Sequence, residues 1–420
     1  MDERARLRSG VVWNLVPVIL LGVVGTGLNF AIGRWWDTSA LGVFHQVSTA
    51  YFVLAAVASG GINYSVLRAV AEQPDDRARV AAITIGALVP TIVAATLATA
   101  VFVLGRHAVA SLLDSASIGE GMLWAAPGLF CFTLNKVLLG VVNGRGRMRA
   151  FAVFTSLRYA LIAVGLVIAI AIEARSEQLP GLWALTEGVL LVVLLGELVI
   201  TIPLHHGAGW RAWVFKHIRF GTRGVGATLL YELQTRLDVW LLGAVMSDAR
   251  VGIYSMAASM ADGACQLAVV VQANANPRIA AALAAGRPAE IELFVRRSRR
   301  WFVPGIVAAC ALGAVAFPIV IPWITGKPEF SDGAVPFAVL MGGLALASPW
   351  LPFNQLLLMG GRPGWHTIYV AVAVAGNVAL NLALIPRYGL LGAALATAIT
   401  MVASAVWLRR LAYTLVGVRL

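Results

Sequence analysis

The sequence predicts an all-α protein that crosses a membrane many times. Hydrophobic residues make up 60% of the chain, charged residues 12%, and the mean hydropathy is +0.83. These values lie far from those of soluble globular domains. Apolar runs of about 20 residues, long enough to cross a bilayer as helices, recur along the chain. Positive charges are concentrated in every second loop, a pattern typical of multispan membrane proteins.

We predict twelve spans, each ending at a loop that carries charge or glycine. They are Val11–Gly33, Val43–Ser65, Val80–Leu104, Gly121–Val142, Phe151–Ile172, Gly181–Leu204, Gly224–Met246, Val251–Asn274, Trp301–Thr325, Val335–Met359, Thr367–Ile385 and Leu390–Leu411. These spans use most of the 420 residues, so no room is left for a soluble domain. The first span is long enough to stay as a helix, and we do not expect it to be removed as a signal peptide.

The charge distribution also predicts the orientation. With the N-terminus inside, the segments on the inner side, with the span ends that adjoin them, hold 23 of the 32 Lys and Arg residues. The outer loops hold one each: Arg34, Arg106, Arg175, Arg250, Lys327 and Arg387. Short loops keep positive charge on the cytoplasmic side. We therefore expect an inner-membrane protein with both termini in the cytoplasm. Its basic loops should contact anionic lipids rather than nucleic acid.

The two halves of the chain resemble each other at an offset of 210 residues. Gly42 corresponds to Gly252 at the start of spans two and eight, and Arg68 corresponds to Arg278 just after them. An even number of spans per half gives both halves the same orientation. Such repeats are related by an axis along the membrane normal, and substrates usually bind between them.

Two segments predict local departures from straight membrane helices. The stretch from Asn276 to Arg300 mixes apolar residues with Arg, which predicts an amphipathic helix lying along the inner membrane surface. The run Ser348-Pro349-Trp350-Leu351-Pro352 predicts a bend in span ten, because proline removes a backbone donor.

Cysteine usage gives no sign of a disulfide framework or a zinc site. Cys131, Cys265 and Cys310 all fall in apolar spans without CxxC spacing. We expect neither a metal nor a cofactor, and no catalytic residues.

Three motifs carry a resemblance to a known family. They are Leu237-Asp238-Val239-Trp240-Leu241-Leu242-Gly243 leading to Val251-Gly252-Ile253-Tyr254-Ser255, then Asn276-Pro277-Arg278-Ile279, and the segment from Asn381 to Ala394. The chain resembles the polysaccharide biosynthesis family of lipid-linked oligosaccharide flippases, in the superfamily that includes multidrug and toxin exporters. The resemblance implies two six-helix bundles, residues 1–208 and 209–420, around a central cavity that opens alternately to each side.

Three cations within spans are the candidate substrate-binding residues: Lys136, Arg158 and Arg236. Ionised side chains at depth are costly and usually face a cavity. Lys136 and Arg158 each lie about seven residues from the inner end of a span, roughly 10 Å below the interface. They could bind a pyrophosphate, or they could extend to the interface and contact water. Arg236 lies deeper, and Glu232 four residues earlier could form a structural ion pair with it.

Five carboxylates within spans are candidates for ion coupling or for lining a cavity: Glu187, Glu197, Glu232, Asp238 and Asp262. Desolvation would favour their protonated form, so they could bind a coupling proton or sodium ion. They could equally neutralise the three cations. The sequence leaves both roles open.

The functional hypothesis is a flippase that moves undecaprenyl-pyrophosphate-linked oligosaccharide from the cytoplasmic to the outer leaflet. The expected partners are this glycan lipid, anionic lipids, and polysaccharide polymerase and export proteins; we expect a monomer. One alternative is a multidrug/cation antiporter of the same architecture, for which the carboxylates would dominate. A membrane enzyme that modifies glycans fits less well, because the outer loops are short.

Overall fold

The computed structural model describes residues 3–203 and 207–420, and within these ranges the chain is helical and contains no strand. The α-helices are α1 Glu3–Trp35, α2 Thr38–Ser59, α3 Ile62–Glu72, α4 Arg77–Leu104, α5 Arg106–Leu112, α6 Ala116–Gly144, α7 Met148–Ala171, α8 Gly181–Thr201, α9 Trp210–Gly243, α10 Asp248–Ala284, α11 Pro288–Thr325, α12 Ala334–Ala347, α13 Leu356–Met359, α14 Pro363–Tyr388 and α15 Leu390–Val416. Short 3-10 segments cover Ser176–Gln178, Pro328–Gly333 and Leu351–Phe353.

The all-α multi-pass membrane class is confirmed. Ten helical segments of the described chain are long and apolar enough to cross a membrane. Helices α1 and α9 cover predicted spans one and seven but are not among the ten, so the count of twelve stays a prediction. The predicted end of span six, Leu204, lies outside the described residues.

Predicted span two is not one helix. Helix α2 ends at Ser59, and Gly60 and Gly61 follow with φ of 50° and 78°. Only glycine adopts this left-handed region at little cost. The chain then begins a separate helix, α3, whose buried face includes Ile62 and Val66. The two glycines therefore interrupt a segment that hydropathy alone predicts to be continuous.

Predicted span ten is also broken, at the proline-containing run. Helix α12 ends at Ala347, and a 3-10 turn and the short α13 follow. The Nε of Arg299 donates to the Pro349 carbonyl at 2.8 Å. This bond satisfies a carbonyl that the interrupted helix leaves without an intrahelical partner.

The prediction of a surface helix over Asn276–Arg300 is wrong. Helix α10 continues to Ala284, Gly286 turns the chain with φ of 67°, and α11 begins at Pro288. The apolar face instead joins a buried core in which Ile279, Ile291 and Val295 pack with residues of α13–α15. Burial in protein has replaced the expected burial in lipid headgroups.

The chain forms two compact units. One comprises the chain up to Ala31 together with Val43–Leu233, and the other comprises Ile32–Gly42 together with Gln234–Leu420. The assignment of residues 1–208 and 209–420 to two six-helix bundles stays a prediction.

In the first unit α6 is central and packs against α3, α4 and α8. Glycines allow this close approach: a Cβ on Gly128 would lie 2.6 Å from the Trp183 backbone, and one on Gly140 would lie 2.8 Å from the Asn63 carbonyl oxygen. The opposite face of α4 leaves Leu97 and Leu104 exposed. Large exposed apolar side chains on a spanning helix indicate a surface that faces lipid.

In the second unit, α15 packs against α12 and α14, and α11 packs against α12. At one end of this unit the two glycines of the repeat meet. A Cβ on Gly42 would lie 1.9 Å from the Asp248 carbonyl oxygen, and one on Gly252 would lie 1.8 Å from the Thr38 carbonyl oxygen. Thr38 and Asp248 are themselves 210 residues apart. The contact is therefore reciprocal at the offset of the sequence repeat.

Candidate functional site

The first unit holds a buried ion pair between two predicted site residues. The Nε of Arg158 on α7 lies 2.7 Å from Oε1 of Glu187 on α8, and its Nη2 donates to Oε2 at 3.1 Å. The Glu187 side chain is 1% exposed and that of Arg158 15%. The guanidinium thus lies against both carboxylate oxygens, and its Nη2 contact is a charge-assisted hydrogen bond. Each charge therefore offsets the desolvation of the other.

Asn135 on α6 completes this arrangement. Its fully buried amide donates to Oε2 of Glu187 at 2.8 Å and to the Glu187 backbone carbonyl at 2.9 Å. The close packing of α6 on α8 brings the amide within reach of the carboxylate. One carboxylate thus accepts from a cation and from an amide, which lowers the cost of holding it inside the bundle.

An aromatic ring joins the two predicted cations of this unit. The Nζ of Lys136 lies 5.7 Å from the centre of the Phe132 ring, and the Arg158 guanidinium carbon lies 5.1 Å from it. Phe132 also contacts Tyr51 and Phe52 of α2, with ring centres 5.7 and 5.6 Å apart. Cations over an aromatic face are stabilised without a counter-ion. Lys136 and Arg158 therefore occupy one site.

The other two carboxylates of this unit differ in position. Glu232 of α9 interacts electrostatically with Lys136. Glu197 lies one turn before the end of α8 and forms an ion pair with Arg147, which immediately precedes α7. Arg145 also contacts this end of α8, because its Nη1 donates to the Thr201 hydroxyl at 2.9 Å. Glu197 thus belongs to the helix end rather than to the buried site.

The second unit holds an acidic group. The Tyr254 hydroxyl of α10 donates to Oδ2 of Asp238 at 2.6 Å, and the Val239 backbone N–H donates to Oδ1 at 2.9 Å. Asp262 of α10 interacts electrostatically with Asp238 and with Arg236. Three of the predicted site residues therefore share one electrostatic environment. The proposed Glu232–Arg236 pair stays a prediction.

Sequence reasoning missed Asn135, Phe132 and Tyr254. An asparagine beside Lys136 within an apolar helix is a detectable signal, because a buried amide needs a partner. The role of Phe132 depends on its distance from two other helices, which the sequence does not specify. Among the residues that the structure describes, no group of His, Cys, Asp or Glu forms a candidate metal site.

The profile of the polysaccharide biosynthesis protein family matches residues 7–282, roughly two thirds of the 420 residues. The chain belongs to this family. The match includes both charge groups described above. The expected family membership is therefore confirmed.

Three known proteins are similar to this member of the polysaccharide biosynthesis family. The "probable low-salt glycan biosynthesis flippase Agl15" of Haloferax volcanii is 20% identical over 401 residues, covering 93% of this chain and 81% of that protein. The lipid II flippase MurJ, in an inward closed conformation, superposes with a TM-score of 0.75 at 12% identity, covering 96% of this chain and 88% of MurJ.

An inward-facing multidrug resistance transporter of the MATE family, in the MOP superfamily, gives a TM-score of 0.73 at 14% identity. The match covers 95% of this chain and 92% of the transporter. Both solved structures share the fold of this chain. Because one carries the name of a flippase and the other that of a drug transporter, the fold does not separate these functions.

Proposed function

We propose that this protein is a flippase for lipid-linked glycan, and that its substrate is undecaprenyl-pyrophosphate-linked oligosaccharide. It moves the headgroup from the cytoplasmic to the outer leaflet of the inner membrane. Membership of the polysaccharide biosynthesis family supports this class of function. The similarity to two proteins named as flippases, Agl15 and MurJ, supports it further.

The observation that carries the proposal is the cationic site of Arg158 and Lys136 inside the helices of the first unit. A polar headgroup does not cross hydrocarbon unaided, because each unpaired polar group costs several kcal/mol. A pyrophosphate offers oxygens that accept charge-assisted hydrogen bonds, and an arginine can donate two of them in parallel. Lys136 supplies a second positive charge beside the same ring.

When no substrate is bound, the Glu187 carboxylate pairs with Arg158 in place of the substrate pyrophosphate. It neutralises Arg158 through two contacts and keeps the cation buried without a ligand. Removing one partner of such a pair costs about 3–5 kcal/mol. A pyrophosphate carries more negative charge than a carboxylate and so can compete for Arg158. Asn135 stays bonded to Glu187 and reduces the cost of the exchange.

The proposal also includes an arrangement of the helices and a path for the substrate. Twelve spanning helices form two six-helix bundles, residues 1–208 and 209–420, related by an axis along the membrane normal. The substrate headgroup enters a cavity between them from the cytoplasm, and alternating access releases it outside. The lipid tail stays in the bilayer throughout. An inside-negative potential favours the outward movement of an anion by about 2.3 kcal/mol per charge per 100 mV. Polymerase and export proteins receive the glycan outside.

A flipping assay tests the role of Arg158. Purified protein is reconstituted into vesicles with fluorescent undecaprenyl-pyrophosphate oligosaccharide, and a membrane-impermeant enzyme reports the glycan on the outer surface. We expect Arg158→Ala to abolish flipping. Because that variant leaves Glu187 unpaired, the double variant Arg158→Ala/Glu187→Gln is measured too. It removes the buried charge pair altogether and should fold.

Arg147→Ala is the matched control. Arg147 is also paired with a glutamate of α8, but at the helix end, so flipping should stay within about threefold of the wild type, as for an exposed pair. Full flipping by the folded double variant would remove Arg158 from the substrate site. Equal loss in the Arg147 variant would show that the assay reports damage to the fold.

The acidic group of the second unit favours one alternative, a cation antiporter. Asp238 and Asp262 would suit an organic cation, as carboxylates do. Uptake of ethidium into the same vesicles distinguishes the two functions. Uptake that depends on Asp262 and is unaffected by Arg158→Ala would support the antiporter, whereas a flippase should show neither.

A further inference from the structure

A groove lies on the second unit between the end of α10 and the start of α11. Its volume is about 570 Å³, and it is lined by Arg278, Glu290, Leu293, Phe294, Arg297, Ser298 and Trp301. None of these residues belongs to the two charge groups described above. The lining combines basic side chains with apolar ones.

The groove is positively charged. In the described ranges of the chain, neither Arg278 nor Arg297 forms an ion pair, and the Arg278 guanidinium carbon lies 5.5 Å from the centre of the Phe294 ring. The single carboxylate, Glu290, accepts a bond at 2.8 Å from Arg287, which lies outside the groove. Two guanidinium groups therefore face the groove against one already neutralised anion. This charge suits a singly charged phosphodiester.

The apolar part of the groove suits the upper region of a lipid. The Leu293 side chain is 68% exposed and that of Trp301 is 78% exposed. Exposed tryptophan beside a basic cluster is typical of the level at which headgroups meet acyl chains. An aqueous surface gives large apolar side chains no favourable contact, whereas a lipid does.

The length of α11 places the groove at that level. Its 38 residues extend over about 57 Å, far more than the roughly 30 Å of the hydrocarbon core. Trp301 begins the apolar part of the helix, so we expect the charged turns before it to lie outside the hydrocarbon core. The groove spans this boundary, at the end of the unit that is predicted to be cytoplasmic.

We propose that this groove is a binding site for an anionic phospholipid. Arg278 and Arg297 bind the headgroup phosphate and the Ser298 hydroxyl donates to it. Leu293 and Trp301 contact the glycerol and the first carbons of the acyl chains.

Photo-crosslinking tests the site. The full-length protein is placed in nanodiscs of phosphatidylcholine with a small fraction of photoactivatable phosphatidylglycerol, and labelled peptides are identified by mass spectrometry. We expect labelling within residues 278–301, and the variant Arg278→Gln/Arg297→Gln should reduce it about tenfold.

The variant Arg296→Gln/Arg300→Gln is the matched control. It removes the same amount of charge, from α11 alone, but neither residue lines the groove, so labelling should stay within about twofold of the wild type. Equal loss of labelling in both variants would show that general surface charge attracts the lipid, and it would overturn the proposal. So would the absence of labelling in this segment, or displacement of the phospholipid by equimolar undecaprenyl pyrophosphate, which would make the groove a substrate site.

Discussion

Two corresponding parts of the chain, 210 residues apart, fold differently. In the first half the helix stops at Ser59 and restarts at Ile62 as α3, whereas in the second half α10 runs without interruption to Ala284. The positions of Gly60 and Gly61 are occupied in the second half by Val270 and Val271. Glycine adopts the left-handed conformation of the break, and β-branched residues resist it. A difference of two residues thus accounts for the break in one helix and its absence from the other.

Helix α9 stabilises the interruption between α2 and α3. Gly221 approaches the Gly60 carbonyl oxygen so closely that a Cβ would lie 3.1 Å from it. The Ser65 hydroxyl of α3 lies 2.8 Å from Nδ1 of His217, which is fully buried. The residue that corresponds to Ser65 in the second half is Ala275, which offers no such bond. The comparison therefore predicts which substitutions affect one half alone and which affect both equally.

The largest effect should come from making the first half like the second. The double variant Gly60→Val/Gly61→Val forces two β-branched residues into φ of 50° and 78°. We expect it to lose about 4 kcal/mol of stability, measured by thermal unfolding in detergent with far-UV circular dichroism. The reverse change, Val270→Gly/Val271→Gly, should cost only about 1 kcal/mol. Equal losses would contradict the explanation of the break.

The second-largest effect should come from the contact at which the two halves are equivalent, where Gly42 and Gly252 each approach a carbonyl oxygen. Alanine at Gly42 or at Gly252 would place a Cβ within 2 Å of a carbonyl oxygen of the other helix. We expect each substitution to cost about 3 kcal/mol in the same unfolding assay, because the helices must separate. Gly263→Ala on α10 is the control, since its Cβ would meet open space. If only one of the two glycines is sensitive, the contact is not reciprocal.

The smallest effect is a pH dependence that arises in the first unit, where His217 contacts Ser65 of α3. Burial lowers the pKa of His217 from 6.5 to about 4. The unfolded chain therefore binds a proton between these values that the folded protein does not, and stability falls as the pH decreases through this window. We expect a loss of about 2 kcal/mol between pH 7 and pH 5. The His217→Gln variant should lack that slope. An unchanged slope would assign the pH dependence to another group.

Hydropathy and loop charge predicted the fold class and the positions of most of the long helices, because these signals are averages over about 20 residues. They did not predict the break at Gly60–Gly61, where two small residues cost little on a hydropathy scale. The pairing of Arg158 with Glu187 depends on how α7 packs against α8, which no local pattern specifies. For the same reason Glu197 could not be assigned from sequence to the helix end, where it pairs with Arg147.

Several basic residues that predict the orientation also have partners in the folded chain. Arg79 binds Glu72, Arg147 binds Glu197, and Arg299 holds the Pro349 carbonyl. Positive charge directs topology while the chain is being inserted, before any of these partners is in place. The same side chains therefore act twice, first during membrane insertion and then in the folded protein. Replacing one by lysine would preserve the first action and weaken the second, since lysine lacks the planar fork of arginine.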